Sequence, residues 1–149
     1  ESDKEGRTVS LRGFSTISLW ADDVAAAVAW YAEFLGVDAY FTRSKPDGHL
    51  AYAEFRIGDY QDELGIIDRS YGPLGAATEP GGAIMYWHVD DLNATVERLV
   101  SMGAKEYQPI TPRGEAGFVT ASVVVPFGNV LGVMYNPHYL EVLEATKPA

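Results

Sequence analysis

The fold is decided by the stretch Ile84-Met-Tyr-Trp-His-Val-Asp-Asp-Leu-Asn-Ala-Thr-Val-Glu-Arg-Leu-Val-Ser-Met-Gly103, which reads as an alternating strand, an acidic pair and an amphipathic helix. The chain contains this order of parts twice, because Ile17-Ser-Leu-Trp-Ala-Asp-Asp-Val-Ala-Ala-Ala-Val-Ala-Trp-Tyr-Ala-Glu-Phe-Leu-Gly36 has it too. Asp23 and Asp91 each precede a helix, where a carboxylate accepts hydrogen bonds from free N–H groups. The repeat predicts a protein built from two similar modules.

Each predicted helix is followed by three strand-like runs. In the first module these are Val37–Arg43, Leu50–Ile57 and Glu63–Asp68. In the second module a strand at Ala83–Val89 precedes the helix, and Ala104–Ile110, Phe118–Val125 and Val130–Tyr135 follow it, with a loop at Pro112–Gly117. We therefore predict an α+β fold of two βαβββ modules. A ferredoxin-like fold is the alternative, which three strands after each helix fit less well.

The distribution of Gly, Pro and polar residues along the chain predicts the limits of its tails, modules and linker. Residues 1–12 read as a flexible tail and residues 13–136 as one domain, with module one at 13–68 and module two at 83–136. Gly and Pro are concentrated in residues 69–82, which we interpret as the linker. Residues 137–149 are predicted to form a short terminal helix and tail, since Pro is tolerated in a first helical turn.

Composition narrows the class of protein. A chain of 149 residues can bury a substantial core, and the absence of cysteine excludes disulfides and thiolate chemistry. No apolar run is long enough to cross a bilayer, so we expect a cytoplasmic protein without a membrane partner. The formal net charge of −10 would repel a phosphate backbone, and we expect no nucleic-acid partner.

The pattern from Phe14 to Asn136 resembles the vicinal oxygen chelate superfamily, the glyoxalase, bleomycin resistance and extradiol dioxygenase group. The strand-Asp-helix-Leu-Gly segment of module one and the Gly128-Asn129 hairpin of module two carry the resemblance. It implies a curved mixed sheet around a cavity, often completed in a dimer, and we expect a homodimer. Its members include isomerases, dioxygenases, thiol transferases and drug-binding proteins, so the resemblance alone does not fix an activity.

Metal-dependent members of this superfamily hold a divalent cation with His, Gln or Glu from the first and last strands of both modules. The matching positions here are Thr16, Ile84, Gly65 and Gly132. Such side chains cannot supply the converging donors that a cation needs, so we expect no metal and no other cofactor. The two glycines are predicted to leave room in the cavity instead.

Strand alternation indicates which side chains face that cavity, because residues two apart share a face. The predicted set is rich in aromatic and small polar groups, as is typical of sites for small organic molecules. The predicted ligand-binding residues are Thr16, Ser18, Trp20, Glu63, Ile84, Tyr86, His88 and Met134.

Three functions remain open at this point. The first is a metal-free protein that binds a small organic molecule, such as an antibiotic or related metabolite. The second is an enzyme of the isomerase, lyase or dioxygenase-like kind, with His88 or Glu63 as acid or base, or with an unconventional metal site at His88, Glu54 and Glu63. The third is an interaction or regulatory protein without a ligand.

Overall fold

The computed structural model describes residues 10–148, which form eight strands and three α-helices. The elements of the first half are β1 (Thr16–Ala21), α1 (Val24–Leu35), β2 (Phe41–Ser44), β3 (Leu50–Ile57) and β4 (Asp62–Asp68). Those of the second half are β5 (Tyr86–His88), α2 (Leu92–Ser101), β6 (Lys105–Arg113), β7 (Phe118–Val124), β8 (Val130–Tyr135) and α3 (Pro137–Ala145). A short 3-10 helix at Arg69–Tyr71 follows β4.

The strands form two four-stranded sheets with the same order of elements. Sheet one has the order β1-β4-β3-β2, and sheet two has the order β5-β8-β7-β6. The α+β class and the two βαβββ modules predicted from the sequence are thereby confirmed. By contacts the described residues divide into two compact units, one of residues 10–19 and 23–67 and the other of residues 20–22 and 68–148.

All three helices begin at a residue whose side chain caps the first turn. Asp23 Oδ1 accepts a hydrogen bond from the N–H of Ala26 at 3.0 Å, and Asp91 Oδ1 accepts one from Ala94 at 3.0 Å. Asn136 does the same for Tyr139 at 2.9 Å. The backbone angles of the three caps agree closely, with φ and ψ of −121° and 94° at Asp23, −124° and 93° at Asp91, and −128° and 98° at Asn136.

Alternation along the strands separates a buried face from an open face in each unit. In β3 the buried side chains are Ala51, Ala53 and Phe55, whereas Tyr52, Glu54 and Arg56 point the other way. In the second unit Ala121 and Val123 of β7 are fully buried beside Val133 and Leu131 of β8, their register partners. We call the side of each sheet opposite these core residues its open face.

Several predicted strand limits are wrong, and each difference has a local cause. The strand predicted from Val37 begins at Phe41, because Gly36 ends α1 at φ 75° and a bend follows it. The strand predicted over Ala83–Val89 is shorter, Tyr86–His88. β6 continues to Arg113 through Pro112, which the sheet accommodates because β6 is an edge strand. None of the helices within residues 10–148 has the length and apolar character needed to span a membrane.

Candidate functional site

The open face of sheet one carries a carboxylate with two donors. Thr16 Oγ1 of β1 donates a hydrogen bond to Glu63 Oε1 of β4 at 2.5 Å, and Arg56 Nη1 of β3 donates one to Glu63 Oε2 at 2.9 Å. These two hydrogen bonds hold the pKa of Glu63 below its ordinary value, and the bond from Thr16 has the larger effect. Glu63 is therefore an ionised acceptor, fixed in position by its neighbours.

A second carboxylate lies beside it on the same face. Tyr52 donates its hydroxyl to Glu54 Oε1 at 2.5 Å, and Tyr40 donates its hydroxyl to Glu54 Oε2. Burial and the Glu54 hydrogen bond raise the pKa of Tyr52, and the Glu54 hydrogen bond also raises the pKa of Tyr40. The guanidinium of Arg56 lies 4.9 Å from the centre of the Tyr40 ring, which links the two carboxylates into one cluster.

We call this cluster the Glu54–Glu63 network. Its members are Thr16, Tyr40, Tyr52, Glu54, Arg56 and Glu63. Two carboxyl groups and one guanidinium give the network a formal net charge of −1. Each carboxylate oxygen can accept more than one hydrogen bond, so the network can receive a donor from a bound molecule.

Exposed aromatic surface and an open groove adjoin the network. Tyr40 is 51% exposed and Phe41 is 41% exposed, and Phe41 lies edge-on to Tyr52 with ring centres 6.3 Å apart. A groove of about 380 Å³ runs along Arg56 and Glu63 and is otherwise lined by residues 12–15 and 60–62. The open face of sheet one thus presents hydrogen-bond acceptors next to apolar rings.

The open face of sheet two has a different character. Gly132 of β8 is covered by two side chains, because a Cβ at that position would lie 2.7 Å from Ile84 Cγ2 and 2.7 Å from Tyr86 Cδ1. Its register partner on β7 is Ser122, which is fully buried. In sheet one the corresponding glycine, Gly65, is paired with Glu54 and would have a Cβ 2.6 Å from the Tyr52 hydroxyl oxygen.

The glycines therefore do not leave open room, which corrects the expectation from the sequence. At Gly65 the space is occupied by the Tyr52 ring, and at Gly132 by Ile84 and Tyr86. The physical reason is that a glycine has no Cβ, so a neighbouring side chain can approach its backbone closely and take that space. The interpretation of Ile84 and Tyr86 as ligand-binding residues stays a prediction.

His88 is held in place by the terminal helix. Its Nδ1 accepts the N–H of Asn136 at 3.0 Å, and its Nε2 lies 3.2 Å from Asp90 Oδ1. The ring stacks on Tyr139 with centres 5.1 Å apart and an interplanar angle of 13°, and its side chain is only 7% exposed. Both ring nitrogens already have partners, so the geometry favours an anchoring role for His88 over proton transfer.

The remaining predicted residues lie on β1 and β8. Ser18 is exposed on β1, and Trp20 is half-buried at the end of that strand. Met134 is half-buried on β8, where its sulfur accepts a weak hydrogen bond from Asn136 Nδ2 at 3.7 Å. Of the predicted set, the structure brings together Thr16 with Glu63, Ile84 with Tyr86, and His88 with its register partner Met134.

Sequence reasoning named Thr16, Glu54 and Glu63 but missed the other three members of the Glu54–Glu63 network. Tyr52, Glu54 and Arg56 alternate with the small or apolar residues of β3, and that alternation already placed them on one face. Tyr40 carried no such signal, because it precedes β2 and reaches Glu54 only through the pairing of β2 with β3. Ser122 was signalled only as a polar residue inside the apolar run of β7.

Comparison with known proteins agrees with this architecture. A sequence model of the glyoxalase/bleomycin resistance protein/dioxygenase superfamily matches residues 13–133. The chain belongs to this superfamily. No curated protein matches the sequence.

Solved structures of the superfamily fold superimpose on most of the chain. The fosfomycin resistance protein FosX from Listeria monocytogenes, solved with Mn(II) and sulfate, aligns with 85% of this chain and 91% of its own at 15% identity and a TM-score of 0.66. A glyoxalase-related enzyme from Fulvimarina pelagi aligns with 85% of this chain and 90% of its own at 19% identity and a TM-score of 0.65. TioX from Micromonospora sp. ML1 aligns with 83% of this chain and 98% of its own at 16% identity and a TM-score of 0.60. At these identities the likeness shows the fold alone.

The positions that hold a metal in metal-dependent members of the superfamily do not fit a divalent cation here. The Thr16 hydroxyl is engaged with Glu63, and both Gly65 and Gly132 lie beneath side chains that fill the space of a ligand. Within residues 10–148 the structure contains no group of three or more His, Asp or Glu side chains arranged to hold a metal.

Proposed function

We propose that this superfamily member binds a small organic molecule on the open face of sheet one, without the divalent cation used by its metal-dependent relatives. The Glu54–Glu63 network is the observation that supports this proposal. Two carboxylates are oriented there by two tyrosines, a threonine and an arginine. These residues lie on the face of the sheet opposite the core residues, so packing of the core does not require them. Fixed acceptors beside exposed rings are what recognition of a partly apolar molecule with hydrogen-bond donors requires.

The same geometry favours binding over acid–base catalysis. A lowered pKa makes Glu63 a poorer base, because a general base works best with a pKa near the operating pH. His88 has its two nitrogens engaged with Asn136 and Asp90. Catalysis through either residue would show as turnover that His88→Ala or Glu63→Gln abolishes without unfolding the protein.

An antibiotic or related metabolite is the concrete ligand class that we propose. The network is negative and the whole chain has a formal charge of −10, so a cationic organic molecule would be attracted at low salt. FosX, which shares the fold, is a fosfomycin resistance protein, and sequestration of an antibiotic needs only shape, stacking and a few polar groups. We also propose a homodimer, which light scattering at several protein concentrations would test.

The binding proposal is tested by titrating a panel of aromatic amines and their neutral isosteres, with amide chemical shifts as the readout. We expect shifts in β3 and β4, and weaker binding in Glu54→Gln and Glu63→Gln. Glu97→Gln on the exposed side of α2 changes the charge by the same amount and is the matched control, so it should bind as the wild type does. Equal binding by all three variants, or no shifts from any compound, would overturn the proposal.

The metal-free part is tested independently. The purified protein is incubated with Mn²⁺ or Zn²⁺, desalted and analysed for metal content by mass spectrometry. We expect far less than one ion per chain and no rise in melting temperature, because a bound ion would stabilise the native state. Stoichiometric retention of either ion contradicts the proposal.

A further inference from the structure

Ser122 has a hydroxyl group that no other described residue satisfies. It lies in the middle of β7, fully buried, and its Oγ has no hydrogen-bond partner within residues 10–148. Ala121 and Val123 on either side face the core, so Ser122 points to the open face of sheet two. An unpaired buried hydroxyl destabilises a fold, and an alanine or valine there would avoid that cost.

Ser122 has a register partner on each side, the exposed Gln108 of β6 and Gly132 of β8, and on the β8 side the backbone is covered by two side chains. Gly132, its register partner, contributes no side chain, and the space above it is filled by Ile84 and Tyr86. Ile84 precedes β5 and lies outside the residues paired with β8, so its side chain can move without breaking a ladder hydrogen bond of β5. Tyr86 is half-buried and can change rotamer.

The immediate neighbours of Ser122 on this face are uncharged, and the nearest charged group is Arg113, whose Nε donates a hydrogen bond to Thr120 at 2.9 Å. Its strand neighbours on the same face are Thr120 and Val124, and Gly132 lies across the ladder with Met134 two residues farther along β8. In sheet one the position equivalent to Ser122 is Glu54, since each residue is paired with the glycine of its last strand. The two sheets therefore carry a charged acceptor and a neutral hydroxyl at corresponding places.

We propose that Ser122 anchors a neutral, largely apolar molecule with one hydroxyl or carbonyl group, which displaces Ile84 or Tyr86 from Gly132. The hydroxyl of Ser122 donates to or accepts from the polar atom of this molecule, and the exposed glycine backbone admits its flat apolar part. The residues of this site belong to sheet two and those of the Glu54–Glu63 network to sheet one, so the two proposals are tested by different variants and either can fail alone.

Phenol and toluene test the proposal, because they differ in little more than a hydroxyl and a methyl group. Both are titrated into the full chain, and dissociation constants are taken from the amide shifts of residues 84–88 and 120–134. A hydrogen bond to Ser122 predicts that phenol binds about five-fold tighter than toluene. In Ser122→Ala that ratio should fall to about one, whereas Ser44→Ala, a control on the exposed edge strand β2, should keep it.

Three results would overturn the proposal. They are a phenol-to-toluene ratio that Ser122→Ala leaves unchanged, an absence of shifts in both segments, and an ordered water on Ser122 Oγ that stays in crystals soaked with phenol. If Ser122→Ala does not fold, the crystal of the soaked wild type decides. The phenol oxygen should then lie within roughly 3.2 Å of Ser122 Oγ, and phenol bound elsewhere would exclude the site.

Discussion

Gly132→Ala should destabilise the protein because the space over Gly132 is already filled. The added Cβ would lie 2.7 Å from both Ile84 Cγ2 and Tyr86 Cδ1, and 3.0 Å from the carbonyl oxygen of Met85. Overpacking of this kind costs about 1–3 kcal/mol. Gly132 has no positive φ, so alanine also restricts the unfolded chain and recovers about 0.4–1 kcal/mol.

The net expectation is a loss of about 1–2 kcal/mol in the free energy of unfolding. For a chain of this size that corresponds to a fall of about 2–8 °C in melting temperature. Gly65→Ala should also be destabilising, but by less, because its Cβ meets a single side chain, Tyr52, which can move if it gives up its hydrogen bond to Glu54. Gly81→Ala is the control, since among the described residues no heavy atom lies within 4 Å of the new Cβ.

Urea denaturation of the three variants, followed by tryptophan fluorescence, measures these differences. The expected order of stability is Gly81→Ala, then Gly65→Ala, then Gly132→Ala. A Gly132→Ala variant as stable as Gly81→Ala would refute the reasoning, because it would mean that the cover of Ile84 and Tyr86 yields at no cost. If the urea transition of Gly132→Ala is not cooperative, circular dichroism measures whether the variant keeps its secondary structure, and we expect that it does.

Asp91→Ala should lower the free energy of unfolding by about 1 kcal/mol through loss of the α2 cap, whereas Asp91→Asn should keep most of it, as measured by urea denaturation. The depressed pKa of Glu63 means that its contacts stabilise the fold above the ordinary carboxyl pKa and are lost as pH falls through the lowered one. Glu63→Gln should therefore be less stable than the wild type near neutral pH, with the gap closing in acid; a gap that is constant with pH would contradict this. The raised pKa values of Tyr31, Tyr40 and Tyr52 predict three tyrosines that ionise later than free tyrosine in an ultraviolet titration, and Tyr52→Phe should remove one of them.

The architecture was predictable because its strands and helices depend on residues that are close together in the sequence. Hydrophobic alternation located the strands Leu50–Ile57 and Val130–Tyr135 with the limits that the structure has. Asp23 and Asp91 located the starts of both repeated helices, since capping depends on residues only three positions apart. Strand ends were less predictable, because the end of β6 at Arg113 is set by its pairing with β7 and not by Pro112.

The candidate site was predicted only in part, because its contacts run between strands. Thr16 and Glu63 were both expected on the open face, but their hydrogen bond depends on β1 lying next to β4. The occupation of the space above Gly65 depends on a ring from β3, which no reading of the last strand alone contains. The anchoring of His88 by Asn136 depends on where α3 packs, and periodicity says nothing about that.

The connection from a strand to the following helix has nearly the same backbone geometry at all three helix caps of this protein. Their backbone angles differ by only a few degrees, although the caps are two aspartates and an asparagine and the following helices differ in sequence. Because the geometry is the same, the four-residue segments Asp23–Ala26 and Asp91–Ala94 should be exchangeable between the two halves. Neither helix should change its direction as a result. After an ancestral duplication, such a fixed connection would have let the open faces of the two halves diverge while the scaffold stayed the same.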